Sequence, residues 1–154
     1  MTTADLTYYI FEGILTGFVQ NKWFHVSALS GGAGGTTKAK TSDAVNNPYA
    51  EGLKTAGSVK SAGHRHGGPI PPGTYIIHKP AKHPHLGLSA RLDHPHWRPM
   101  GRDGFYIHRR GPHGSDGCIV PLRQPEFDAI MDALTKSNGG MLVVAETMDG
   151  NRFA

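Results

Sequence analysis

The sequence predicts a mostly β (α+β) domain with one helix. Glycine and proline are abundant, at 21 and 11 residues, while charged residues make up only 18% of the chain. This composition favours short strands joined by turns over a helical bundle. Runs of β-branched and aromatic residues recur between the turns, and one segment has helical spacing. The length of 154 residues fits a single domain over 1–154.

Three strands are predicted near the N-terminus, over 6–12, 14–20 and 22–29. All three runs contain the aromatic and β-branched residues that favour strands. Gly13 and Asn21-Lys22 can turn the chain between consecutive runs. We therefore expect an antiparallel meander.

The segment 30–68 is long, rich in small residues and weakly patterned. A loop of this length inside a compact domain is either functional or poorly ordered. Beyond this loop, strands are predicted over 74–78, 86–92, 105–108 and 141–145, because each is a short apolar run.

One helix is predicted before the last of these strands. Its apolar residues recur at helical spacing, at Phe127, Ile130, Met131 and Leu134. Pro125 suits the first helical turn, and Gly139-Gly140 suits the end of a helix. We expect this helix to bury one apolar face against the strands.

Cys118 is the only cysteine of the chain. A single thiol excludes an internal disulfide and is a poor basis for a zinc site, so Cys118 is either a reactive thiol or a small buried apolar residue. Glycines at 111, 114 and 117 build a tight turn before it. Such a turn can present a side chain and expose backbone N–H groups, which favours the reactive thiol.

The ten histidines all precede Cys118. A thiolate nucleophile needs a base within hydrogen-bond reach or a lowered pKa. The order of histidine before cysteine argues against papain-like hydrolases, in which the cysteine comes first. His108 ends the strand predicted over 105–108 and lies ten residues before the thiol. His108 is therefore the preferred base.

Three motifs together resemble the L,D-transpeptidase (YkuD-like) catalytic domain. Residues 68–75 read Gly-Pro-Ile-Pro-Pro-Gly-Thr-Tyr, residues 101–108 read Gly-Arg-Asp-Gly-Phe-Tyr-Ile-His, and residues 115–119 read Ser-Asp-Gly-Cys-Ile. The resemblance is nearest to L,D-transpeptidase-like antibacterial effectors of type VI secretion, and it extends over about 6–147. Asp116 departs from the histidine common in the family, and Pro121 stands where many members have Arg or Asn.

The resemblance implies a YkuD-like β-sandwich with one helix after the catalytic cysteine. It implies a peptidoglycan-modifying cysteine enzyme that acts on tetrapeptide stems, as an L,D-carboxypeptidase or by D-amino-acid exchange or crosslinking through a thioester. Cys118 is then the nucleophile, His108 the base, and the backbone carbonyl of Arg109 orients His108. It implies no cofactor. It also suggests an antibacterial toxin with peptidoglycan stem peptides as substrate and a cognate immunity protein as partner.

Other residues near the thiol complete the predicted site. The N–H groups of Gly117 and Cys118 are candidates for the oxyanion, and Ser115 either assists the base or is a plain turn serine. Asp116 should face away, since a carboxylate beside the sulfur would raise the thiol pKa. Arg102 either holds a substrate carboxylate or forms a structural salt bridge. The candidate substrate-binding residues are Arg102, Tyr106, Arg109, Arg110, His113 and Asp116.

Rival interpretations remain open. A sortase-like enzyme also orders histidine, cysteine and arginine, here Arg123, but the short spacing and the glycine turn speak against it. A housekeeping cell-wall transpeptidase is another alternative. Three His-Xaa-His pairs, 64–66, 83–85 and 94–96, make a His-rich metal-binding module or a wall-binding module the non-enzymatic alternative. Two pairs have a central proline, so we expect no metal site.

Charge and termini bear on where the protein acts. The formal net charge of +4 and pI of about 9.3 suit either ordinary solubility or attraction to anionic partners such as wall carboxylates. No nucleic-acid motif appears. The first residues lack the pattern of a Sec signal, and no apolar run could insert into a membrane. We expect a protein made in the cytoplasm and exported by a contractile machine to the periplasm of a target bacterium.

Overall fold

A computed structural model of the chain describes residues 4–31, 68–95, 104–110 and 117–149. These residues form a mostly β fold with one helix, as the sequence predicts. The strands are β1 (Leu6–Tyr9), β2 (Ile14–Val19), β3 (Lys22–Ser30), β4 (Gly73–Ile77), β5 (Ala81–His83), β6 (Gly87–Asp93), β7 (Phe105–Ile107), β8 (Ile119–Pro121) and β9 (Gly140–Ala145). The helix α1 spans Gln124–Lys136 and lies between β8 and β9.

The predicted N-terminal meander is confirmed, because β1 pairs antiparallel with β2 and β2 with β3. The β2–β3 turn differs by one residue from the prediction. Val19 pairs with Lys22, so the two turn residues are Gln20 and Asn21, with φ of 51° and 62°. Positive φ at both positions is the mark of a type I′ turn, which matches the twist of a hairpin.

The sheet runs in the order β4-β9-β1-β2-β3-β8-β7-β6-β5. A further pairing of β4 with β6, at Ile76↔Asp93 and Ile77↔Leu92, joins the two ends of this strand order and closes the sheet on itself. Two pairings are parallel, β1 with β9 and β7 with β8. Strands β7 and β8 are neighbours in this order, although 11 residues separate Ile107 from Ile119 in the chain.

The helix packs its apolar face into the core, as its periodicity predicts. Its buried residues are Phe127, Ile130, Met131, Ala133 and Leu134. Pro125 lies in the first turn, and the chain leaves the helix through Asn138 and Gly139, both with positive φ. Burying four large apolar side chains contributes on the order of 6–12 kcal/mol before entropy is considered.

The sequence did not predict β5 and β8. Strand β5 is three residues long and carries no large apolar residue, so it lacks an alternating pattern. Strand β8 is equally short, at three residues. The segment 32–67 of the predicted long loop lies outside the described residues. Within the described part of the chain, no helix is long and apolar enough to cross a membrane.

Candidate active site

The pairing of β7 with β8 places His108 and Cys118 two register positions apart on neighbouring strands. The strands are parallel with Ile107 opposite Ile119, and His108 N donates to the Ile119 carbonyl at 3.1 Å. Both isoleucines are fully buried in the core. Because side chains alternate along a strand, His108 and Cys118 lie together on the other face. Strand spacing and rise place their Cα atoms about 8 Å apart, within reach of an imidazole and a thiol.

His108 is held in the tautomer that a general base needs. Its Nδ1 lies 2.7 Å from the carbonyl oxygen of Arg109. A carbonyl only accepts hydrogen bonds, so Nδ1 donates and Nε2 carries the lone pair in the neutral ring. The resemblance implies this hydrogen bond, and it is present. The bond also fixes the orientation of the ring.

Burial is the main cause that lowers the pKa of His108 below its usual value. The hydrogen bond to the Arg109 carbonyl opposes this effect, while the nearby positive charges of His83 and Arg109 add to it. The net direction is downward, so the imidazole is neutral at neutral pH. A neutral imidazole can accept the proton of a thiol.

Cys118 is half-buried and so does not belong to the fully buried core. Its Sγ lies 3.9 Å from the carbonyl oxygen of Gly104, a long and weak S–H contact. Gly104 immediately precedes β7 and has φ of 78°, a conformation that favours glycine. The thiol thus lies against the start of β7, and His108 lies at the end of the same strand.

A buried serine, Ser30, anchors the residue before the thiol. Its Oγ donates to the carbonyl oxygen of Gly117 at 2.9 Å and accepts from the N–H of Ile70 at 2.9 Å. Ser30 is 0% exposed and ends β3. In a trans peptide the C=O and the following N–H point in opposite directions. The bond to Gly117 therefore directs the N–H of Cys118 away from Ser30.

His83 is a second imidazole beside the site. Its ring contacts Tyr106 in a T-shaped arrangement with centroids 5.1 Å apart, and its charge acts on His108. Arg109 lies close to Gly87, since its Nε is 3.7 Å from the position that a Cβ would take on that glycine. Gly87 is the residue of β6 that pairs with His83. Sequence reasoning considered His83, within a His-Xaa-His pair, as a possible metal ligand and preferred a solvated loop histidine or a residue that lines a cleft. Among the described residues, no group of three or more His, Cys, Asp or Glu side chains could hold a metal ion.

The described structure places five of the predicted site residues on or next to the paired strands β7 and β8: Cys118, His108, Gly117, Tyr106 and Arg109. Arg110 follows them and is exposed. Arg102, His113, Ser115 and Asp116 lie outside the described residues. Sequence reasoning missed Ser30 and His83, since neither belongs to a motif around the thiol.

In comparisons with known proteins, no family model, no curated protein and no solved structure matched this chain. The described part of the site contains the thiol of Cys118 and the oriented imidazole of His108, next to two neighbouring strands. Such a set can perform acyl transfer by nucleophilic catalysis.

Proposed function

We propose that this chain is a peptidoglycan-modifying cysteine enzyme of the L,D-transpeptidase (YkuD-like) type. One observation carries the proposal. His108 and Cys118 lie on the same face of two paired strands, and the Nδ1 of His108 is bonded to the carbonyl of Arg109. The fold class is compatible with this type of enzyme, since the described residues are mostly β and the helix follows the cysteine. The substrate class comes from the motifs at 68–75, 101–108 and 115–119.

The proposed reaction uses the two side chains in turn. His108 Nε2 takes the proton of Cys118, and the thiolate attacks the diaminopimelate carbonyl of a tetrapeptide stem. The tetrahedral intermediate collapses, and His108 returns the proton to the amine of the leaving D-alanine. The stem is then a thioester on Cys118. Water, a free D-amino acid or the amine of a second stem attacks this thioester and releases the thiol.

The developing oxyanion needs donors that are already in place. The N–H groups of Gly117 and Cys118 are the predicted donors. The bond between Ser30 Oγ and the Gly117 carbonyl supports this role, because it holds the peptide that carries the Cys118 N–H in one orientation. Gly117 has φ of 114°, so a side chain there would be strained.

The same motifs support a delivered toxin rather than a housekeeping enzyme. Their likeness is nearest to antibacterial effectors, which act on the wall of a recipient cell. The proposed site of action is the periplasm of a target bacterium, and the proposed protein partner is an immunity protein that covers the thiol. Cys118 is only half-buried, so a bound immunity protein could reach its thiol.

The test is digestion of purified muropeptides, with mass spectrometry of the products. The native protein should remove, or exchange, the terminal D-alanine of tetrapeptide stems. The variants Cys118→Ala and His108→Ala should lose several orders of magnitude in rate, because a nucleophile and its base act as a unit. His25→Ala is the matched control, since His25 is an exposed histidine on β3. Turnover by either site variant at the control's rate refutes the assignment.

A further inference from the structure

The ring of His83 has one nitrogen committed to the backbone. Its Nδ1 accepts hydrogen bonds from the N–H of His85 at 3.0 Å and of Leu86 at 3.3 Å. An acceptor nitrogen carries no hydrogen, so the neutral ring has its proton on Nε2. Two N–H groups of the β5–β6 turn thus fix the tautomer. The Nε2–H is left as a donor at the far side of the ring.

That donor lies at the edge of the candidate active site. The His83 ring meets the Tyr106 ring, and Tyr106 stands two residues before His108 on the same face of β7. Arg109 approaches Gly87, the residue that pairs with His83, and its Nε is 3.7 Å from the position that a Cβ would take there. Glycine at this position leaves room for the Arg109 side chain.

The surroundings are suited to an anion. The segments 79–92 and 104–110 contain no Asp or Glu. They contain Lys82, His83, His85 and the Arg109-Arg110 pair, all near the β5–β6 turn or the end of β7. The acid that follows, Asp93, is paired with His78 at 2.8 Å and Arg91 at 3.1 Å. A surface on which the described residues supply positive groups without a neighbouring acid attracts a carboxylate.

A buried hydroxyl on the same face supports a polar ligand. Ser89 is 3% exposed, and its Oγ has no hydrogen-bond partner in the described part of the chain. Ala90 pairs with Ile107, so continuing the β6–β7 register sets Ser89 opposite His108. Both lie on the face away from the core. A buried hydroxyl without a partner is rare in a folded domain, and a bound polar ligand would satisfy it.

We infer that His83 and Arg109 form a carboxylate subsite beside the thiol, and that His83 determines specificity for a stem peptide with a free carboxylate there. His83 would donate through Nε2–H, and Arg109 would add a charge-assisted bond. This inference rests on the proposed function for the identity of the ligand. A stem offers two sources of this chemistry, the free diaminopimelate carboxylate and the terminal D-alanine carboxylate.

Two substitutions separate the two nitrogens of His83. In His83→Asn the amide oxygen can replace Nδ1 as acceptor, but the distal donor is lost. In His83→Gln the amide N–H can replace Nε2–H, but the acceptor for His85 and Leu86 is lost. Each is made in the Cys118→Ala background, so that binding is measured without turnover. The ligands are the tetrapeptide stem, the same stem amidated at diaminopimelate, and the same stem amidated at D-alanine.

Titration calorimetry gives the dissociation constants. We expect His83→Asn to weaken binding of the free stem about tenfold, the size of one hydrogen bond to a charged group. His83→Gln should bind more tightly than His83→Asn. The loss caused by His83→Asn should vanish for one amidated stem, which then identifies the carboxylate bound.

Four results would overturn the subsite, and three of them concern the His83 variants. The first is equal affinity of His83→Asn and its parent for the free stem. The second is a loss of affinity in His83→Asn that persists with both amidated stems. The third is weaker binding of the free stem by His83→Gln than by His83→Asn. The last result would show that His83 only supports its turn. Failure to bind any stem counts against the subsite as well. Because binding needs no chemistry, absence of turnover in the native protein would refute the proposed function while leaving this measurement valid.

Discussion

Replacing Ser30 with alanine removes one oxygen that serves two segments. Ser30 Oγ joins the Gly117 carbonyl and the Ile70 N–H, and all three residues are buried. The substitution leaves two buried backbone groups without this partner. Each such group costs about 1–3 kcal/mol. We expect Ser30→Ala to lower the free energy of unfolding by about 2–6 kcal/mol, a large part of the stability of a small domain.

Ser30→Ala should also alter the reactivity of the Cys118 thiol. The Gly117 carbonyl is no longer held, so the peptide that carries the Cys118 N–H can rotate. Iodoacetamide alkylation of the folded protein reports the reactivity of Cys118, the only cysteine. Turnover of muropeptides reports the oxyanion donors. We expect kcat to fall by more than tenfold with a smaller change in KM, since oxyanion donors act in the transition state.

Ser27→Ala is the matched control, because Ser27 is an exposed serine on the same strand. Urea unfolding followed by circular dichroism measures the stability of both variants. A merely structural Ser30 would change the unfolding midpoint but leave kcat unchanged well below that midpoint. Equal midpoints for Ser30→Ala and Ser27→Ala would refute the reasoning about buried groups. An unchanged kcat would refute the role of Ser30 in positioning the Gly117 peptide.

Three further predictions test the chemistry and its setting. Since the folded state lowers the pKa of His108, the acid limb of the kcat/KM profile should have its midpoint below the usual pKa of 6.5. For the same reason, the part of the folding stability that depends on neutral His108 should decrease as pH falls through 6.5 towards the folded pKa. A limb above 6.5 in the pH–rate profile contradicts this. Muropeptide turnover should survive EDTA, because the chemistry needs only a thiol and an imidazole. Loss of turnover on chelation and its recovery on addition of zinc would show instead that the His-Xaa-His pairs form the active site. A Sec-fused protein should lyse Gram-negative cells, whereas the cytoplasmic form and a Sec-fused Cys118→Ala protein should be harmless, and toxicity of either would overturn the effector proposal.

Local patterns predicted most of the fold. The meander β1–β3 was predictable because each strand carries its own aromatic and β-branched residues and neighbouring strands are joined by short turns. The helix was predictable because Phe127, Ile130, Met131 and Leu134 define one apolar face. The strands β5 and β8 were missed, since three residues are too few to show a period and pairing depends on distant partners.

The sequence by itself determined which groups are candidates for the reaction. A single thiol, preceded by glycines and by every histidine of the chain, already indicated Cys118 and His108. Only the tertiary structure decided which partners surround them. Ser30 lies 87 residues from Gly117, and His83 comes to Tyr106 across the β5–β6 hairpin. No local pattern encodes such contacts, because they arise only when the closed sheet places β3, β8, β7 and the hairpin side by side.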